Sequence, residues 1–187
     1  MIKFVYFDVG GVVIKDFSKT NKWTELKRDL KINDPNFDTW FDQLEIKLCL
    51  GKETLGGTIL SLNNFVSRFE ANKSIWPIIK NVKNRYRVGL LTDMYPGMLD
   101  AIKAKGILPT VDWDITIDSS VVGMKKPDRN IYELAQKKAG VNADEILFVE
   151  NTQKNVDTAK TLGWQTFLYD SGNYEESSQS LAKIFIH

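Results

Sequence analysis

One histidine and one cysteine are all that this chain holds of the two side chains that most often serve as catalytic base, thiol nucleophile or zinc ligand. The histidine is the last residue, His187, which excludes Ser-His-Asp and Cys-His catalysis and histidine-rich zinc sites. Cys49 has no partner for a disulfide and no histidine to activate it, so it is expected as a buried apolar filler in a reducing compartment. An excess of one charge is also missing. Twenty-five basic residues against 24 acidic give a net charge of +1, with no long basic cluster, so no nucleic-acid surface is expected. No apolar run approaches the roughly 18 residues of a membrane span. Met1-Ile2-Lys3 leads straight into a strand pattern without a signal-peptide pattern, so the expectation is a cytoplasmic protein with no membrane partner. Carboxylates, lysine, hydroxyls and hard metal ions are left to carry any chemistry.

The 187 residues suffice for one domain with a modest insertion. The densest signal is Phe4-Val5-Tyr6-Phe7-Asp8-Val9-Gly10-Gly11-Val12-Val13, an apolar strand that ends on one acid and turns through two glycines. A strand this apolar is buried, and in an open parallel sheet the carboxyl ends of such strands form the ligand crevice. Asp8 therefore stands at the mouth of a site, or else merely caps a turn. Residues 2 to 8, Val88 to Thr92, Trp113 to Ile117, Ile146 to Val149 and Thr166 to Tyr169 read as strands. Helical patterns at Leu99 to Lys105, Ile131 to Ala139 and Asn155 to Leu162 precede the last three. Such alternation predicts an α/β fold with a doubly wound, Rossmann-like parallel sheet.

Residues 16–82 differ in character, with helical periodicity and no convincing strand. Trp23, Leu26 and Leu30 repeat at helical spacing, as do Trp40, Leu44 and Leu48; Leu60 to Phe69 and Ser74 to Val82 follow. This predicts a small helical cap inserted after the first strand, with 1–15 and 83–187 forming the core. Trp23, Trp40, Phe41 and Phe65 are read as helix packing, since buried aromatics usually serve cores. The polar tail from Ser171 to Gln179 is expected to be loose before a last short helix, Ser180 to Ile186.

Three more strand ends complete a constellation: Leu90-Leu91-Thr92-Asp93, Gly123-Met124-Lys125-Lys126-Pro127-Asp128, in which the proline is read as starting a helix, and Ile146-Leu147-Phe148-Val149-Glu150-Asn151. With Asp8, this order of acid, threonine, Lys-Pro-Asp and acidic strand end resembles the haloacid dehalogenase-like hydrolase superfamily over nearly the whole chain. The resemblance implies that Asp8 is a nucleophile forming an aspartyl-phosphate, and that Lys126 neutralises Asp8 and the phosphoryl group. It implies that Thr92 and the backbone N–H groups after Asp8, at Gly10 and Gly11, hold phosphoryl oxygens beside Asp93. It also implies a Mg2+ ion held by Asp8, the Gly10 carbonyl and Glu150, with Asn151 either a further ligand or a helix cap. Without that role Glu150 is an N-cap for the next helix. Asn155 is placed to orient Lys126 or Glu150, and Lys125 is read as solvated.

Two departures stand out. Most phosphatases of this superfamily carry a second aspartate two residues after the nucleophile, as general acid and later general base. Here that residue is Gly10, a loss worth roughly 10²- to 10⁴-fold unless Asp93 or Asp16 replaces it. The Asp-x-Gly-Gly-Val form resembles a subset grouped with phosphatases of small sugar phosphates. The acidic pair at the fourth motif is reduced to Glu150 with Asn151, which weakens a Mg2+ site. Three functions fit: a Mg2+-dependent phosphomonoester hydrolase of a small phosphorylated metabolite, a metal-free 2-haloacid dehalogenase, and a catalytically weak protein that binds a ligand or partner.

Overall fold

The computed structural model describes residues 1–17 and 20–186, so His187 lies outside them. The strands among them are β1 (Phe4–Phe7), β2 (Ile14–Lys15), β3 (Glu70–Ala71), β4 (Arg87–Thr92), β5 (Ile115–Asp118), β6 (Ile146–Glu150) and β7 (Gln165–Leu168). Five of them make a parallel sheet in the order β5-β4-β1-β6-β7, which puts β1 at the centre. Successive side chains of a strand face opposite sides, and here both sides are dry. Val5 and Phe7 pack with Val88, Leu90, Leu147 and Val149 into one core, while Phe4 and Tyr6 pack with Leu91, Ile117, Ile146 and Phe148 into the other.

The helices are α1 (Asn21–Asp29), α2 (Phe37–Cys49), α3 (Leu62–Val66), α4 (Trp76–Lys83), α5 (Met98–Ala104), α6 (Ser119–Val122), α7 (Arg129–Ala139), α8 (Gln153–Thr161) and α9 (Tyr174–Lys183). Ile131, Tyr132 and Ala135 of α7 and Ala159 of α8 cover one face of the sheet; Ile79 and Val82 of α4, Ile102 of α5 and Leu181 of α9 belong to the core on the other. The doubly wound α/β architecture expected from the strand and helix alternation is present. No helix among the described residues is long and apolar enough to cross a membrane.

Four local expectations are corrected. A strand does occur where none was expected: β3 pairs antiparallel with β2, Ile14 opposite Ala71, and the two-stranded ribbon joins the segment after β1 to the chain before α4. On α2 the buried face is Phe37, Phe41, Leu48 and Cys49, rotated from the expected stripe, and Trp40 is 42% exposed, its ring 5.3 Å from that of Phe37. The polar tail is ordered early, because its serines are used as hydrogen-bonding groups: Ser178 Oγ lies 2.7 Å from Tyr169 Oη and 2.9 Å from Ser74 Oγ, and Ser177 Oγ accepts the Asp170 N–H at 2.8 Å. Helix α7 begins two residues after Pro127, with Asp128 accepting the Asn130 N–H at 3.0 Å as its cap.

Helices α1 to α3 meet around aromatic rings. Phe17, Trp23, Phe37, Phe41, Phe65 and Phe69 form one cluster, with Trp23 and Phe41 centroids 4.9 Å apart and Phe41 and Phe65 5.8 Å apart. Tyr95, which follows β4, joins it edge-on to Phe65 at 5.7 Å. The packing role expected of Trp23, Phe41 and Phe65 is therefore observed.

Candidate active site

The register of the sheet assembles the site. Phe7 pairs with Leu90 of β4 and with Val149 of β6, so Asp8, one residue on, lies level with Leu91 and Glu150. Its N–H donates to the Val149 carbonyl at 2.9 Å, and the chain then turns back, with the Val13 and Ile14 N–H groups donating to the Val9 carbonyl, both at 3.0 Å. Gly11 carries φ +78° in that turn, and a Cβ there would lie 2.1 Å from Asn151 Nδ2 and 2.9 Å from Ser171 Oγ. Glycine is required at this position on both counts. Gly10 is different: nothing lies within 4 Å of a Cβ built on it.

Lys126 is the centre of the charge network. Its Nζ lies 2.9 Å from Asp8 Oδ1 and 2.7 Å from Glu150 Oε2, and its side chain is 2% exposed. A cis peptide bond joins it to Pro127, and its own N–H donates to Asp93 Oδ1 at 3.0 Å. Glu150 is fully buried. Its Oε2 also accepts from Asn155 Nδ2 at 3.1 Å, and its Oε1 from the Thr152 N–H at 2.9 Å. The cap residue of α8 is Thr152, so neither Glu150 nor Asn151 serves as that N-cap. Asn155 holds Glu150 directly, one of the two placements expected for it.

Burial sets the protonation of this cluster. Loss of water and then the charge of Glu150 push the Asp8 carboxyl up to about 7 against the pull of Lys126. Burial alone draws the Lys126 ammonium down, but Asp8, Glu150 and Asp93 outweigh it and hold it above the ordinary lysine value. Burial also raises Asp93, opposed by Lys126. Cys49 is pushed up to about 12 by burial first and then by Asp93 and Glu45, so its thiol is inert, as a filler should be.

The cluster around Asp8 and Lys126 opens into a cavity of about 280 Å³. Asp8, Gly10, Asp93, Lys125, Lys126, Asn151 and Asn155 line its sheet end, with Asp16 beside them. Lys125 faces this space, so it is not merely solvated. Thr92, Gly11 and Glu150 lie behind the lining. Thr92 is fully buried and its Oγ1 is without a hydrogen-bond partner among the described residues. The Gly11 N–H is committed to the Ile14 carbonyl at 2.9 Å and the Val9 N–H to Asp8 Oδ1 at 2.8 Å, so of the turn amides expected to hold a ligand these two are already engaged.

A Mg2+ ion was expected to be held by Asp8, the Gly10 carbonyl and Glu150, but the group that lies between the two carboxylates is Lys126. A hard cation still suits the oxygen donors beside it: the Asp8 carboxylate, the Gly10 carbonyl and the Asn151 amide carbonyl. Glu150 has little acceptor capacity to spare, and the described residues contain no group of three His, Cys, Asp or Glu side chains arranged around one metal position.

The end of the cavity toward α1 to α3 was not legible as a site. Phe17, Trp23, Phe41, Phe65, Phe69 and Tyr95 wall the cavity there, and the Tyr95 hydroxyl donates to Glu45 Oε1 at 2.6 Å. Helical spacing located several of these rings but not the direction of their inner edges. Thr152 was likewise missed, because its contribution is a backbone N–H.

The fold recurs in solved structures of low sequence identity. A predicted HAD-like family hydrolase from Porphyromonas gingivalis superposes with TM-score 0.82 at 22% identity, over 100% of this chain and 99% of the other. A HAD family enzyme from Bacteroides thetaiotaomicron, solved as a magnesium complex, gives 0.79 at 19% identity, over 100% and 99%. The L-2-haloacid dehalogenase of Xanthobacter autotrophicus, with chloropropionic acid covalently bound, gives 0.63 at 18% identity, over 90% and 78%. No curated protein matches the sequence. Residues 2–163, which include Asp8, Thr92, Lys126 and Glu150, match the sequence model of one family, and the chain therefore belongs to the haloacid dehalogenase-like hydrolases.

Proposed function

We propose that this hydrolase acts on phosphate monoesters of a small metabolite, with Asp8 as nucleophile and Mg2+ as cofactor. The observation that carries the reading is the pairing of the Asp8–Lys126 contact with the orphaned Thr92 hydroxyl on the adjacent strand. A buried hydroxyl without a partner costs about 1–3 kcal/mol, and a phosphoryl oxygen that settles deeper than the present lining, against the end of β4, would accept its hydrogen bond. Lys126 balances charge as the phosphoryl group approaches Asp8, and Glu150 with Asn155 keeps the ammonium in place. Asp8 Oδ1 is held by Lys126 and the Val9 N–H, leaving Oδ2 to attack. Asp8 Oδ1, the Gly10 carbonyl and the Asn151 amide carbonyl would hold Mg2+, which would add neutralisation of phosphoryl charge while Oδ2 is kept for the attack. The relative from Bacteroides thetaiotaomicron has also been solved with magnesium and inorganic phosphate, which supports this reading. Residues 16–82 act as the cap over the site, and the inert thiol of Cys49 fits a cytoplasmic setting.

One observation favours a 2-haloacid dehalogenase as second reading. Glu150 has a complete role without metal, since it anchors Lys126, and Lys126 alone offsets the charge of Asp8. Release of phosphate from a panel of monoesters and of halide from 2-haloacids, each with Mg2+ and with chelator, tests the choice. Phosphate release that chelator abolishes, with no halide release, is expected. Halide release indifferent to chelator would replace the first reading with the second.

A further inference from the structure

The two ends of the cavity constrain the leaving group independently. At the cap end Phe17, Trp23, Phe41, Phe65, Phe69 and Tyr95 present rings to the space beyond Asp8. The acid contributed there by α2, Glu45, already accepts the Tyr95 hydroxyl at 2.6 Å. A leaving group rich in hydroxyls would strand them against those rings, and an unpaired buried hydroxyl is costly. A second anionic group there would meet Glu45. At the sheet end Gly10 has no side chain to protonate a departing oxygen. An alkoxide needs that proton, because an alcohol, like water, ionises only far above the range in which proteins work. A phenol, like the tyrosine side chain, ionises near ~10 and leaves without it.

We propose that the substrate is the phosphate monoester of a neutral phenol, with its ring held among the cap aromatics. This rests on the phosphohydrolase reading above, and it departs from the sugar phosphates that the Asp-x-Gly-Gly-Val resemblance implies. In the first step Asp8 Oδ2 bonds to phosphorus as the bond from phosphorus to the phenolic oxygen breaks. The electron pair leaves with the aryloxide, which takes its proton from water. In the second step a water oxygen attacks phosphorus and the bond to Asp8 breaks. The carboxylate is restored, and inorganic phosphate leaves while the water's proton passes to solvent.

Three esters separate the two constraints. Phenyl and cyclohexyl phosphate are both apolar and of like size but differ in leaving group, whereas cyclohexyl and a hexose phosphate both leave as alkoxides but differ in polarity. On kcat/KM, phenyl phosphate should exceed cyclohexyl phosphate by about 10²-fold or more. Cyclohexyl phosphate should exceed the hexose phosphate by about tenfold. Calorimetric titration supplies a readout free of turnover: phenylphosphonate should bind about tenfold tighter than methylphosphonate. Phe69→Ala, at a half-buried ring, should narrow that difference. A hexose phosphate that matches or beats phenyl phosphate overturns the proposal while leaving the phosphohydrolase reading intact, and so does phenylphosphonate binding no tighter than methylphosphonate. Phosphate esters all inert, with halide released from 2-haloacids, would overturn both.

Discussion

The sheet end and the cap end of the cavity are built by opposite means. At the sheet end each side chain is fixed by directional bonds: Lys126 by two carboxylates, Glu150 by three donors, Asp8 by Lys126 and a backbone N–H. At the cap end rings hold one another through faces and edges, as in the stacked contact of Phe41 with Phe65 and the edge-on contact of Phe65 with Tyr95. Directional bonds specify atoms to a few tenths of an ångström, and ring packing specifies a volume. The first suits a reaction centre and the second suits selection among ligands by shape.

The difference can be broken most severely at Asp8. Asp8→Asn keeps the shape of the site and removes the proposed nucleophile, and turnover should fall about 10⁴-fold or more while circular dichroism stays unchanged. Burial raises the Asp8 carboxyl from 3.8 to about 7, so across that window the folded protein binds a proton that the unfolded chain has released. Its contribution to stability therefore declines as pH rises from 3.8 to about 7, and urea unfolding should show Asp8→Asn without this decline.

Lys126→Met tests whether the sheet end depends on charge. It strands Asp8 and Glu150 without a counter-ion, and breaking a buried pair costs about 3–5 kcal/mol. A melting temperature lowered by about 10 °C or more is expected. An unchanged melting temperature would mean that the two carboxylates do not need the lysine.

Gly10→Asp sharpens the contrast, because it adds an acid to the sheet end without touching the cap. Nothing lies within 4 Å of the new Cβ, so the variant should fold. Its kcat/KM for alkyl phosphates should rise about 10²-fold, with a smaller gain for aryl phosphates. Equal rates for the two ester classes in the parent, and no gain in the variant, would assign the proton to Asp93 or Asp16. The smallest effect concerns the neighbouring glycine. Gly11→Ala forces a side chain into φ +78° against Asn151 and should cost about 1–3 kcal/mol in chemical unfolding, whereas Gly10→Ala should stay within about 0.5 kcal/mol of the parent.

The sheet was legible because its strands are short, apolar and separated by clear helical periods, and because an acid or a hydroxyl ends β1, β4 and β6. Asp8 and Glu150 could be named because a strand end needs no tertiary information to be located, whereas Lys126, in the loop between α6 and α7, was named only through the resemblance. The contact of Lys126 with Asp8 was expected, but its second contact, with Glu150 in the place given to a metal ion, was not legible, because it depends on how a loop folds over the sheet. Trp40 and Phe37 are both aromatic and three residues apart, so periodicity alone could not tell which faced inward. Ribbon β2–β3 escaped because two-residue strands have no pattern to read.

The Ser171 hydroxyl donates to the Gly11 carbonyl at 2.7 Å, bridging two residues 160 apart. During synthesis Asp8 and its glycine turn precede the strands that flank β1 and the serine that braces the turn, the last of them by 160 residues. Parallel pairing of this kind closes long loops and is intrinsically slow. A nascent chain halted after α8 would carry Asp8 and Lys126 yet lack β7 and the brace on the turn. The Asp8 carboxyl is thus made well before the groups that hold its turn in place, and the site is finished only when the segment after α8 has been added.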